Sequence, residues 1–260
     1  PDGMTKGVRL ATVADGTSNT ILVIEAANPV EWTKPDDLPY VPNGPPPVVG
    51  AKHAGGENAL FTDGSVRFLK NSIGMTFVRV PAGSFRMGSE GHEWGHREHE
   101  GPPHPVEISR KLYVSVFPVT QAEYQAVMGK NPSKHAKNGA SQPVENVSWH
   151  EAEQFCVKLA HRAEEVGHRR SYRLPTEAEW EFLCRAGTDT PYHGGEKLTA
   201  ADAVFDTGGR DAPKHPLAVG GKPANAWGLC DMHGNVQEWV IDWYDEYYYA
   251  ESPADDPSNT

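Results

Sequence analysis

Three kinds of side chain in this chain could do chemistry: thiols, imidazoles and a run of carboxylates. The three cysteines, Cys156, Cys184 and Cys230, contain no C-x-x-C pair and make an odd set. They form neither a disulfide framework nor a zinc-ribbon pattern. Four histidines, His92, His96, His99 and His104, lie close together, and His92-x3-His96 would place two imidazoles on one face of a helix, as a zinc or copper site can require. Gly91, Gly95, Gly101, Pro102 and Pro103 argue against a helix there, so no metal is expected at these histidines. The carboxylates are unevenly placed. After Lys222 there is no Lys or Arg, but there are Asp231, Glu238, Asp242, Asp245, Glu246, Glu251, Asp255 and Asp256. These eight supply most of the formal charge of −11. The stretch reads either as a solvated acidic tail or as a cation site.

The elements that must position these groups fall on two sides of a seam near residue 72. Residues 1–72 are turn-rich, with Pro42-Asn43-Gly44-Pro45-Pro46-Pro47 as a non-helical connector. Strands are expected at Thr20–Glu25 and in a hairpin that joins Ala59-Leu60-Phe61 to Ser65–Leu69 through the Asp63-Gly64 turn. Beyond the seam, strands are expected at Met75–Val80, Gly83–Gly88 and Leu112–Phe117. Three helices should follow, each opened by a capping box: Thr120-x-x-Glu123, Ser148-x-x-Glu151 and Thr176-x-x-Glu179. Gly129, Gly167 and Gly187 stand at their expected ends. Ala152, Phe155, Cys156, Leu159, Ala160 and Ala163 recur at helical spacing, so Cys156 reads as a core residue, as does Cys184 beside Trp180 and Leu183. From about Pro191 the chain reads as loop, with strands expected at Leu217-Ala218-Val219 and Val236–Val240. The fold class is α+β.

A hydrophobic content of 38% with seven Trp is enough for a core, which excludes wholesale disorder. No apolar run approaches the ~18 residues of a transmembrane helix. The acidic balance excludes a general nucleic-acid binder. The chain opens on Pro1-Asp2-Gly3 and closes on the loop-like Asp255–Thr260, so both ends are expected to be internal to a longer protein.

Two resemblances add to this reading. In residues 1–72, Asp15-Gly16-Thr17-Ser18-Asn19-Thr20 and the spacing of His53 to Asp63-Gly64 resemble the C-terminal part of the bacterial prepilin-type H-x9-DG domain. That likeness implies a small β-rich, pilin-like segment and a cell-surface or extracytoplasmic location. Asp63 is read as serving the turn and His53 as a surface or packing residue. In residues 73–260, six runs stand in order. They are Gly83-Ser84-Phe85-x-Met87-Gly88, Glu100-x-Pro102-x-His104-x-Val106, Val119-Thr120-x3-Tyr124, Pro143-Val144-x2-Val147-Ser148-Trp149-x2-Ala152, Arg173-Leu174-Pro175-Thr176-Glu177-Ala178-Glu179-Trp180-Glu181, and Gly228-Leu229-x-Asp231-Met232-x-Gly234-Asn235-Val236-x-Glu238-Trp239. Together they resemble the formylglycine-generating enzyme family, also called sulfatase-modifying factor.

The family resemblance implies a C-type-lectin-like fold with little regular secondary structure. It implies oxidation of a cysteine to formylglycine in a sulfatase polypeptide carrying Cys-x-Pro-x-Arg, with molecular oxygen and with copper held by a cysteine pair. That pair follows an arginine-glycine-glycine-serine motif, and these 260 residues are expected to stop before it. No residue present is assigned as catalytic, and the alternative function is a non-catalytic, calcium-stabilised binding module. Calcium is implied by resemblance at Asp231, Gly234, Val236 and Glu238, two carboxylates and two backbone carbonyls. Asp231 stands where well-known members have Asn. A weaker second set is Asp202 with the Ala203 carbonyl, where the Gly208-Gly209-Arg210-Asp211 loop departs from the family pattern.

Overall fold

The computed structural model describes the backbone of residues 18–19 and 23–26, and in full residues 68–93, 95–209 and 212–260. The residues that carry the pilin-like expectation, namely the Pro42–Pro47 connector, the Ala59–Phe61 strand, His53 and Asp63-Gly64, lie outside the described residues.

In chain order the elements are β1 (Ser18–Asn19), β2 (Val23–Ala26), β3 (Phe68–Lys70), β4 (Thr76–Val80), β5 (Gly83–Met87), β6 (His104–Ile108), β7 (Leu112–Ser115), α1 (Gln121–Met128), α2 (Trp149–Ala160), α3 (Ala163–Gly167), β8 (Arg170–Arg173), α4 (Glu177–Arg185), β9 (Gln237–Glu238) and α5 (Tyr248–Glu251). The fold mixes helix and strand, as expected for an α+β chain. A five-stranded sheet runs β3-β4-β7-β2-β8, a hairpin pairs β5 with β6, and β1 lies parallel to β9. Two strands from the near side of the expected seam, β2 and β3, therefore sit in the same sheet as β4, β7 and β8.

Side-chain alternation along the central strands builds two cores. Val78 pairs with Val114, and with Val80 and Leu112 these residues face a core that also holds Phe182, Leu183 and Cys184 of α4. Phe77 and Tyr113 face the other way, into a core with Tyr124 of α1 and Phe155, Cys156 and Leu159 of α2. Helices thus cover both faces of the sheet, and one cysteine-bearing helix lies on each side.

All three capping boxes form. Thr120, Ser148 and Thr176 accept from the backbone N–H three residues on, and the partner glutamates return the bond. Gly129 takes the left-handed conformation that ends α1. The other two ends differ from expectation. The middle helix does not run to Gly167 but breaks at His161-Arg162, and α3 begins afresh. The break turns Glu165 inward, where it accepts from the Ser72 N–H at 2.6 Å, the Tyr172 hydroxyl at 2.5 Å and Arg170 at 3.3 Å. The third helix stops one residue early, with Ala186 at φ +48° before Gly187. The Leu217–Val219 segment is not a strand. Its Leu217 N–H and C=O are taken by the Asn235 side chain, which stands where a neighbouring strand would.

The first turn of α4 carries a titrating group. Asp242 accepts from the Glu177 N–H at 2.8 Å and from the Asn259 N–H at 2.8 Å, tying the C-terminal segment to this helix. Burial, then the Asp242 charge, pushes the Glu177 carboxyl up to about 7. A carboxyl raised on folding stabilises fully below its unfolded value, and that contribution is lost as pH rises through the folded one. Glu177→Gln keeps an acceptor for the Tyr249 hydroxyl. The variant is expected to match the parent near pH 4.5 and to exceed it by about 1–2 kcal/mol near pH 8. Thermal melts across that range check this; parallel curves would contradict it.

Candidate metal centre

The loop that follows Gly228 is built by backbone conformation as much as by side chains. Asp231 (φ +59°), Gly234 (φ +97°) and Asn235 (φ +64°) all lie in the left-handed region, which coils the chain tightly. Leu229 and Met232 anchor it in the core. The Cys230 N–H donates to the Val116 carbonyl at 2.9 Å, and Asn225 fastens the loop's start to the last turn of α4 by donating to the Leu183 carbonyl at 2.7 Å. The Asn235 N–H donates to the Val204 carbonyl at 2.7 Å, and Val204 and Gly234 form a parallel bridge.

Asp231 and Glu238 are both buried, at 8% exposure each. Asp231 accepts from the Gly220 N–H at 2.7 Å. Burial raises its carboxyl, and the Gly220 bond, Asn235 and Lys222 work against that rise. Glu238 lies in β9. Its Oε2 accepts from the Trp180 indole N–H of α4, while its Oε1 is buried with no hydrogen-bond partner. Burial is the main cause, with the Asp231 charge behind it, of a carboxyl pushed up to about 8. A buried acceptor-only oxygen without a donor is a costly arrangement unless a proton or a cation completes it. A hard divalent ion suits this donor set: carboxylates from Asp231 and Glu238, and carbonyl oxygens from Gly234 and Val236. The Gly234 carbonyl already accepts from the Val236 N–H at 2.8 Å, which leaves it one lone pair. Among the described residues no three His, Cys, Asp or Glu side chains gather to hold a metal. A cage with two carboxylates and two carbonyls is compatible with that.

Asp202 serves a local turn. Its Oδ2 accepts the Thr199 N–H at 3.0 Å and the Thr199 hydroxyl at 2.5 Å, bonds that hold its carboxyl below the usual range. The Ala203 N–H donates to the Thr199 carbonyl at 3.2 Å. The next residue, Val204, joins this turn to the Asp231 loop, and Arg210 and Asp211 lie outside the described residues.

The thiols do not suit copper. Cys156, Cys184 and Cys230 are free and buried. Cys156 belongs to one core, and Cys184 and Cys230 to the other. Burial pushes the Cys156 thiol up to about 12, Cys230 to about 11 and Cys184 higher still. A copper-binding or nucleophilic pair needs accessible thiolates, and these groups are neither. The histidines of the 92–104 segment take separate partners. His96 bonds the Ser89 hydroxyl at 2.7 Å, His104 the Pro102 carbonyl at 3.0 Å, and His99 meets the Tyr244 ring edge-on. Among the described residues, the helix that would align them does not form; a short turn at Glu98–Glu100 stands there instead.

Two residues of the site are not among the ligands the sequence points to: Trp180, the partner of Glu238, and Val204, the wall behind Gly234. Trp180 reads as one more apolar residue of α4, and only the indole N–H marks it as able to hold a carboxylate.

Known proteins share this architecture. The model of the sulfatase-modifying factor enzyme 1-like domain matches residues 69–258. The chain is 28% identical to the formylglycine-generating enzyme of Thermomonospora curvata, over 70% of this chain and 76% of that one. It is 26% identical to the inactive C-alpha-formylglycine-generating enzyme 2 of Bos taurus, over 69% and 75%. It is also 31% identical to the serine/threonine-protein kinase pkn1 of Chlamydia pneumoniae, over 70% of this chain but 30% of the kinase, so the shared region is one part of that longer protein. Among solved structures, PvdO from Pseudomonas aeruginosa superposes with a TM-score of 0.62 at 28% identity, over 74% of this chain and 80% of that one. Among the described residues no helix is long and apolar enough to cross a membrane.

Proposed function

The chain belongs to the sulfatase-modifying factor enzyme 1-like family, and from that premise we propose that its described residues form a calcium-stabilised, non-catalytic scaffold used for binding. The observation that carries this is the buried, unpartnered Oε1 of Glu238, in the motif that also carries the buried Asp231. Calcium, when bound, supplies positive charge that offsets two buried carboxylates. Asp231 and Glu238 would hold it with side-chain oxygens, and Gly234 and Val236 with carbonyls. Asp202 and the Ala203 carbonyl are a lesser set, because the Asp202 carboxylate is already engaged by the Thr199 N–H and hydroxyl. The prepilin-type likeness of residues 1–72 supports a place at the bacterial cell surface.

A second reading is the oxidation of a sulfatase cysteine in a Cys-x-Pro-x-Arg segment. Similarity to formylglycine-generating enzymes favours it, while similarity to an inactive relative favours the scaffold equally well. The three thiols present do not fit copper, so the oxidative step is not assigned to any residue here. Incubation of the chain with a Cys-x-Pro-x-Arg peptide, oxygen and copper tests the point. The peptide mass is expected to stay unchanged; the loss that accompanies formylglycine would overturn the scaffold reading. A companion prediction concerns the thiols themselves. With a chromogenic disulfide reagent in native buffer, Cys156, Cys184 and Cys230 are expected to react only after denaturant is added, because each is buried and protonated. Rapid native labelling of any of them would contradict the buried geometry.

A further inference from the structure

The segment Trp243–Tyr247 is exposed without a break, and its Trp243 and Tyr244 rings each rest against a ring from a distant part of the chain. Trp243 is 41% exposed, Tyr244 44% and Tyr247 69%. Trp243 stacks on Trp149 at the start of α2 with ring centroids 6.5 Å apart and planes 26° apart. Trp149 is itself pinned by its indole N–H, which donates to the Val240 carbonyl at 2.8 Å. Tyr244 meets His99 edge-on at 5.7 Å. The backbone is equally fixed: the Trp243 N–H donates to the Asn259 carbonyl at 2.7 Å, the Asn259 side chain returns a bond to the Trp243 carbonyl at 3.0 Å, and Asp245 closes a turn on the Tyr247 N–H at 2.9 Å. Elements distant in sequence therefore hold the Trp243 and Tyr244 rings toward solvent, and a local turn fixes the Tyr247 backbone, which lowers the ordering cost on binding.

Within the described segment the charged neighbours of these rings are acidic, while imidazoles lie against two of the rings, His99 on Tyr244 and His150 on Trp149. Asp245 and Glu246 lie between the exposed rings and Glu251 follows, all exposed, in a stretch where no Lys or Arg occurs after Lys222. Glu246 pushes the pKa of the Tyr247 hydroxyl up, by a hydrogen bond first and by its charge second. Across the Trp149 stack, Glu153 of α2 is exposed as well. Aromatic faces flanked by carboxylates complement guanidinium and ammonium groups, which stack on the ring and bond the acid together. Exposed Trp and Tyr held rigidly are also the usual anchors of protein interfaces.

We propose that the Trp243–Tyr247 face, with Trp149 beneath it, is a docking surface for a basic, arginine-bearing polypeptide segment. None of these residues belongs to the Asp231–Glu238 loop, so the surface stands or falls separately from the calcium reading. The test is fluorescence anisotropy of a labelled arginine-glycine repeat peptide titrated with the full chain, alongside a glutamate-glycine repeat and a labelled neutral oligosaccharide. The basic peptide is expected to bind alone, and added salt to weaken it. Tyr247→Ala, and Trp243→Ala where it melts like the parent, are each expected to weaken binding about tenfold. The control Glu164→Gln/Glu196→Gln removes two exposed charges elsewhere and is expected to change binding by less than about twofold. No binding of the basic peptide, equal losses in control and aromatic variants, or preferential binding of the oligosaccharide would each overturn the proposal.

Discussion

Gly234→Ala is expected to lower stability by about 3 kcal/mol or more, which is a fall of roughly 6–12 °C in melting temperature for a domain of this size. A Cβ built on Gly234 would stand 2.2 Å from the Val204 carbonyl oxygen and 3.1 Å from its carbon. That oxygen is backbone, so it cannot swing aside as a side chain would. Moving it also breaks the 2.7 Å bond it accepts from the Asn235 N–H. The conformation adds to the cost, because φ +97° is one that residues with a Cβ rarely adopt. Relief by turning the peptide would displace Asp231 and Val236, which flank the position, so calcium affinity should fall with stability. Thermal melts with and without calcium check both. A melting temperature within about 2 °C of the parent would show that the close approach at Val204 does not hold the loop.

Glu238→Gln should produce a crossing pair of results. In chelator, the variant is expected to be at least as stable as the parent near neutral pH. Glutamine mimics the neutral acid that burial favours, and its side-chain oxygen still accepts from the Trp180 indole. In saturating calcium the order should reverse. A ligand at ~100 times its Kd stabilises the native state by about 2.7 kcal/mol, or roughly 5–11 °C here, and the variant should gain almost none of it. A purely structural role for Glu238 predicts neither the reversal nor the lost response. If parent and variant respond alike to calcium, the ion binds elsewhere.

Features set by neighbouring residues are legible in this sequence, and features set by distant contacts are not. The three capping boxes need only four neighbouring residues each, and all three form. The break at His161-Arg162 has no comparable local mark. It exists because Glu165 reaches Ser72, Tyr172 and Arg170, and the sequence places Ser72 beyond any helical window. Strand β6 is masked by Pro105, which a two-stranded hairpin tolerates where an inner strand would not. Leu217–Val219 has strand composition, but a single amide side chain takes the place of the neighbouring strand. The same division holds at the site. The spacing of Asp231, Gly234, Val236 and Glu238 is visible as a motif, and folding buries both of its carboxylates. What closes the site around them, Trp180 from α4 and the Val204 carbonyl, comes from segments whose approach only the folded chain reveals.

The proposed calcium centre requires an ion to complete the unpartnered carboxylate of Glu238. Isothermal titration calorimetry of the chelator-treated chain with calcium measures this most directly. One ion per chain is expected to bind through the Asp231 loop, with the heat abolished in Glu238→Gln and strongly reduced in Asp231→Ala. No binding heat in the parent, or the same binding in both variants, would contradict the calcium centre.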